Sequence, residues 1–251
     1  MLPITSRLTA AVQRIGLVTF IAGLAIIPQA GAMTFSDPGT FTDPPWSETI
    51  QGGGDVVDTR ESVGGNPGDF LRLQTIPSGG TIVIGSYINS AATWNPSTQG
   101  AIDTVDLGID VTLFSGVPGF SDGQGFGIAL QQGGQIFGNG FAVTGLQNTF
   151  NARTILGAGQ ANFGLVDPST GSTDFTTNPD FSTSGSPISF GFAVANSGGS
   201  PASGTTAGYD NLSLTVNLVE EPPVGIPEPG TLTLLGLGLA GLGFARRRKR
   251  T

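Results

Sequence analysis

The chain has 251 residues, 10 basic against 18 acidic, and neither cysteine nor histidine. The missing histidine removes the commonest general base and the commonest transition-metal ligand, and the missing cysteine removes any disulfide brace. Seven of the basic residues sit at the two ends. The stretch between keeps Arg60, Arg72 and Arg153 against seventeen acids, a charge that repels nucleic acid and anionic lipid.

The chain opens with a basic start (Arg7, Arg14), an uncharged apolar run from Ile15 to Ile27, and Pro28-Gln29-Ala30-Gly31-Ala32. Small residues at Ala30 and Ala32 form a signal-peptidase site. Residues 1–32 are therefore expected to pass through the general secretion machinery and be removed, leaving Met33 first.

Turn-forming clusters dominate the chain beyond Met33. Gly64-Gly65-Asn66-Pro67-Gly68, Pro77-Ser78-Gly79-Gly80 and Gln132-Gly133-Gly134 punctuate it, the last placed to close a hairpin. Between such clusters, period-2 alternation predicts strands with one buried face. Val105, Leu107, Ile109, Val111 and Leu113 share one face, and Phe126, Ile128 and Leu130 another. Ile188, Phe190, Phe192 and Val194, then Leu212, Leu214, Val216 and Leu218, repeat the pattern. Weaker candidates are 70–76, 81–89, 135–144, 149–156 and 162–166. No window of this region has helical periodicity. The prediction is an all-β fold over 33–218, two antiparallel sheets packed face to face.

Gly64 to Arg72 and Gly208 to Leu214 resemble the first and last strands of jelly-roll modules of the galactose-binding-like and concanavalin-A-like type. The resemblance implies adjacent terminal strands and a carbohydrate-binding type of scaffold. It also implies a structural calcium shared by Asp69 and Asp210, with Asp55 or Asp58 near in sequence; the alternative is that these aspartates hold turns. Aromatic rings suited to stacking on sugars are Trp46, Tyr87, Trp94 and Tyr209. Trp94, before Asn95-Pro96, and Tyr209, beside Asp210, are the sugar-binding candidates.

Catalysis is poorly provided for. A serine triad lacks its base, and a glycosidase needs facing carboxylates. The glutamates before the C-terminal motif are Glu48, Glu61, Glu220 and Glu221, and the aspartates fall mostly in turns or on polar strand faces. The chain reads as a non-enzymatic protein.

Residues 219–226, with Pro222-Pro223, form a stiff spacer. Next come Pro227, Glu228 and Pro229, an uncharged stretch to Ala245, and Arg246, Arg247, Arg248, Lys249 and Arg250. The apolar segment from Leu232 to Ala245 has 14 residues, ~21 Å as a helix. A bilayer core is about 30 Å thick. A short helix interrupted by glycines suits a passing stay in the inner membrane, with the basic end held in the cytoplasm.

This order of parts resembles the PEP-CTERM tail of Gram-negative bacteria. The resemblance implies recognition at Pro227–Pro229 and processing by an exosortase-type membrane enzyme, over a sorting signal spanning 227–251. The expectation is an exported structural or adhesive protein of the cell surface, outer membrane or extracellular matrix, with exopolysaccharide as a partner. The alternative is a lectin-like module with a defined glycan. Gly236-Leu237-Gly238-Leu239-Ala240-Gly241 spells a dinucleotide fingerprint by accident, because no βαβ unit surrounds it.

Overall fold

The structure, a computed structural model, describes residues 31–115, 124–140, 142–143, 148–197, 204–220 and 237–239. Residues 1–30 of the expected signal peptide, the sorting motif, the basic stop and most of the spacer and apolar tail lie outside them. Residues 237–239 are helical, and no described helix is long and apolar enough to cross a membrane.

In chain order the strands are β1 (Ala32–Asp37), β2 (Trp46–Gly52), β3 (Gly54–Gly65), β4 (Gly68–Pro77) and β5 (Ile82–Trp94). One helical turn, α1 (Pro96–Gln99), leads to β6 (Ile102–Ser115), β7 (Gly125–Gln132), β8 (Gln135–Asn139) and β9 (Ala142–Val143). The chain continues through β10 (Asn151–Ala158), β11 (Phe163–Val166), β12 (Thr173–Asp174), β13 (Ile188–Ser197) and β14 (Thr205–Leu218).

These strands build the predicted antiparallel β-sandwich. A six-stranded sheet runs β10-β6-β14-β4-β3, with β1 also on β14; an eight-stranded sheet runs β12-β11-β8-β7-β13-β5-β2, with β9 on β7. Early strands lie beside late ones, β1 and β4 against β14 and β5 against β13. That doubling-back is the jelly-roll wrapping; Leu71 and Arg72 do lie beside Tyr209 and Gly208 as expected, but their strand is the fourth of the chain and not the first.

Period-2 alternation decides what fills the space between the sheets. Val105, Leu107, Ile109, Val111 and Leu113 are all buried, and so are Phe126, Ile128, Leu130, Phe190, Phe192 and Val194. Each such side chain contributes about 1.5–3 kcal/mol on burial. Phe192 is the centre of an aromatic group: its ring centroid lies 5.3 Å from Tyr87, 5.4 Å from Tyr209, 5.6 Å from Phe41 and 6.0 Å from Trp46. The Gly133-Gly134 turn closes the β7–β8 hairpin with φ of 59° and 82°, values that L side chains resist.

Three strands, β1 to β3, fall where the sequence carries no alternation signal. β3 reads GDVVDTRESVGG and is largely exposed. It is an edge strand pairing with β4 alone, and its charges suit an open edge.

Candidate functional site

A concavity lies on the outer face of the eight-stranded sheet. There the residues between the core-facing aromatics point away from the sandwich. Ile84, Ile88, Ala129, Ile136, Val166, Ala193 and Ala195 form a second, smaller apolar cluster. Gly191 of β13 lets the neighbouring strand β5 come close, since a Cβ there would collide with the backbone carbonyl of Tyr87.

A strap crosses this face. Between β11 and β12, Asp167 Oδ1 accepts from Ser169 N (2.7 Å), Ser169 Oγ (2.6 Å) and Thr170 N (3.0 Å), which folds the loop on itself. The folded loop reaches the opposite edge, where Gly52 N donates to Pro168 O at 3.1 Å. Gly52 and Gly171, with φ of 80° and 68°, make the closest approach, and a Cβ on Gly171 would lie 3.3 Å from Gly52 Cα. Two edges of one sheet are thus tied together across its outer face.

The tie encloses a cavity of about 500 Å³, within the ~300–1,000 Å³ usual for small-ligand sites. Thr49 and Gln51 line it from β2, Gly134, Gln135 and Ile136 from the β7–β8 hairpin, and Leu165 and Val166 from β11. Asp167, Pro168, Ser172 and Asp174 complete it. Hydrogen bonds from Ser169 and Thr170 hold the Asp167 carboxyl below its ordinary value, and bonds from Thr176 and Thr177 do the same for Asp174. Both are anions at neutral pH. The lining can donate and accept hydrogen bonds over an apolar floor, and it contains neither a basic nor an aromatic residue.

The sugar-binding candidates from the sequence need correcting. Trp94 ends β5 and is 5 % exposed; its Nε1 donates to Gly100 O (2.9 Å), because α1 turns the chain back over the ring. Tyr209 is fully buried, and its hydroxyl donates to Gln124 Oε1 at 2.6 Å. It falls on the core-facing parity of β14 together with Ala207. Burial raises its phenol well above the ordinary value. Neither ring has a face left for a sugar, and Trp46 and Tyr87 are core residues too.

Asp69 and Asp210 do meet, through different atoms. Asp210 is fully enclosed and accepts from Asn66 N and Asn211 N. Asp69 has an exposed side chain and turns its backbone carbonyl inward. A Cβ on Gly39 or Gly65 would overlap both the Asp69 carbonyl and the Asp210 carboxylate, so both loops close over the pair as glycine alone permits. Asp58 instead pairs with Arg60 at 3.4 Å, and Asp55 accepts from Val56 N. Among the described residues no three acidic side chains gather as a metal site.

A cluster the sequence did not flag lies outside the six-stranded sheet. Phe70, Phe114 and Phe150 touch with centroids 5.4–6.5 Å apart, and Arg72 sits 5.0 Å over Phe114 while pairing with Glu61 at 3.2 Å. Gly208 leaves room for these rings.

The expected address at the C-terminus can now be set against known proteins. Residues 225–249 match the PEP-CTERM protein-sorting motif. The chain is an exported protein sorted at its C-terminus, and the motif is associated with exosortase processing at the membrane. No curated protein matches. Among solved structures, a family 11 carbohydrate-binding module from Clostridium thermocellum, in complex with a mixed-linked tetrasaccharide, is similar at 13 % identity and a TM-score of 0.40. The match covers 77 % of this chain and 99 % of that one. A module described for mannan recognition, TmCBM27, is similar at 10 % identity and 0.40, covering 74 % and 99 %.

Proposed function

We propose that this exported chain is a non-enzymatic structural or adhesive component of the cell surface or exopolysaccharide matrix, gripping glycan in the strapped cavity. The cavity carries the glycan half of the reading. Its volume suits a small ligand, and its amides, hydroxyls and carboxylates lie around Ile136 and Val166, the mix by which concave sites orient polar ligands. The C-terminal motif carries the address. Residues 1–32 and the tail are removed or processed on the way, and 219–226 hold the sandwich clear of the membrane.

The test is affinity electrophoresis against polysaccharides. Thr49→Trp on the exposed strand β2 should block the cavity and abolish retardation, with circular dichroism unchanged. Retardation that survives this change, or none in the unmodified chain, rejects the glycan reading.

Calcium at Asp210 is a separate part of the reading. One buried carboxylate with the carbonyls of Gly68 and Asp69 close by is the hard-oxygen set this ion takes. A cation there would offset the charge of Asp210, which Asp110 and Asp37 oppose.

A further inference from the structure

Resting on the glycan reading above, we infer that the strapped cavity takes uncharged sugar units and turns away those bearing carboxylate or sulfate. The first support is the distribution of charge. None of the described strands of the eight-stranded sheet contains lysine or arginine. The three arginines of the body lie on β3, β4 and β10 of the other sheet. Arg60 is spent on Phe41 O, Asp43 and Asp58, and Arg72 on Glu61. An anionic sugar in the cavity would meet Asp167 and Asp174 with no cation to offset them, and like charges at contact distance reject a ligand.

The second support is the pattern of free hydrogen-bonding groups. The bonds that the Asp167 carboxylate accepts from Ser169 N, Ser169 Oγ and Thr170 N fall on Oδ1, and the group stays an acceptor-only part of the wall. The Asp174 carboxylate is held by Thr176 and Thr177 and stays an acceptor-only group. Sugar hydroxyls donate to such oxygens, whereas a uronate or sulfate group has none to donate. Gln135, exposed at the hairpin, supplies an amide that both donates and accepts. Pro168, exposed on the strap, offers apolar surface to the C–H face of a sugar ring, beside a floor built on Ile136 and Val166.

The experiment uses the exported protein recovered from its host, in low salt, against neutral polymers (a glucan, a mannan, a galactan) and acidic ones (alginate, polygalacturonate, heparin). The expected result is retardation by at least one neutral polymer, lost in Thr49→Trp, and none by the acidic set. Gln135→Lys, which places a cation at the rim without touching the strap, should strengthen uronate binding by about tenfold. Retardation by an acidic polymer that Thr49→Trp abolishes would overturn this selectivity while leaving the glycan reading intact. Failure of Gln135→Lys to admit uronate would overturn the charge account in the same way. Silence toward both classes removes the glycan reading itself, and the selectivity falls with it.

Discussion

Asp37 connects the end of β1 to the aromatic core. Its carboxylate accepts from Gly39 N (3.0 Å), Thr40 N (2.8 Å), Phe41 N (3.1 Å) and Trp46 Nε1 (2.8 Å), and the residue is 8 % exposed. Alanine there would leave an indole N–H and several amides unpaired in the interior. The expected cost is about 3 kcal/mol or more, seen as a lower urea midpoint with altered Trp46 fluorescence. Asp210 differs in facing two other carboxylates, Asp110 and Asp37. Burial raises its carboxyl, Asp110 and Asp37 push the same way, and the N–H groups of Asn66 and Asn211 oppose them. A raised folded-state value means the charged form is disfavoured by folding. In chelator, the contribution of Asp210 to stability should therefore be greatest below about pH 4, the ordinary carboxylate range, and fall as pH rises through the raised value, a fall read as the difference from Asp210→Asn. Calcium should remove that fall, and Asp210→Asn should remove the calcium response. Equal urea midpoints with and without calcium across pH 4–7 would reject the ion site. The sequence singled out Asp69 with Asp210, but could not tell that Asp69 turns its carbonyl rather than its side chain toward that carboxylate.

At the scale of elements, β14 binds the six-stranded sheet together. Residues 205–218 pair with β6 on one side and with β4 and then β1 on the other, and Val219 N adds a bond to Ala101 O. A chain ending at Glu220 should melt cooperatively by circular dichroism. One ending at Asn211 should not, because it loses Leu212, Leu214 and Val216 from the core along with the partner of β1. This strand was legible, since Leu212, Leu214, Val216 and Leu218 announce their period. So were β6, β7 and β13. β1 to β3 were not, since their own side chains mix polar and apolar groups on both faces, and the partners of β1 and β2 lie far along the chain. The same reason hid the cavity. The strap and the Gly52–Gly171 approach are long-range geometry, and an Asp-Pro-Ser-Thr-Gly turn announces a loop without saying which edge it will reach. Trp94 and Tyr209 misled for a related reason: a residue next to a turn signal or an aspartate can still fall on the buried parity of its strand.

For the molecule as a whole, both ends emerge together. Ala32 is opposite Asn217, and Thr34 Oγ1 lies 2.8 Å from Thr215 Oγ1. Since the chain has no cysteine, Thr34→Cys with Thr215→Cys offers a clean check. The pair should close a disulfide on export, read as a loss of two hydrogens in the intact mass and a faster-migrating band without reductant. Persistent free thiols would mean that the first strand is not docked on the last. Cleavage after Ala32 and processing beyond Glu220 would then both act at one pole of a finished sandwich, without removing a buried side chain.

That placement governs how the molecule would carry load. A tether leaving from β14 pulls along a strand bonded on both flanks, so force would shear many backbone bonds at once instead of peeling them in turn. On the adhesive role proposed above, a pull between that tether and a held glycan would load β14 in shear between β6 on one flank and β4 and β1 on the other.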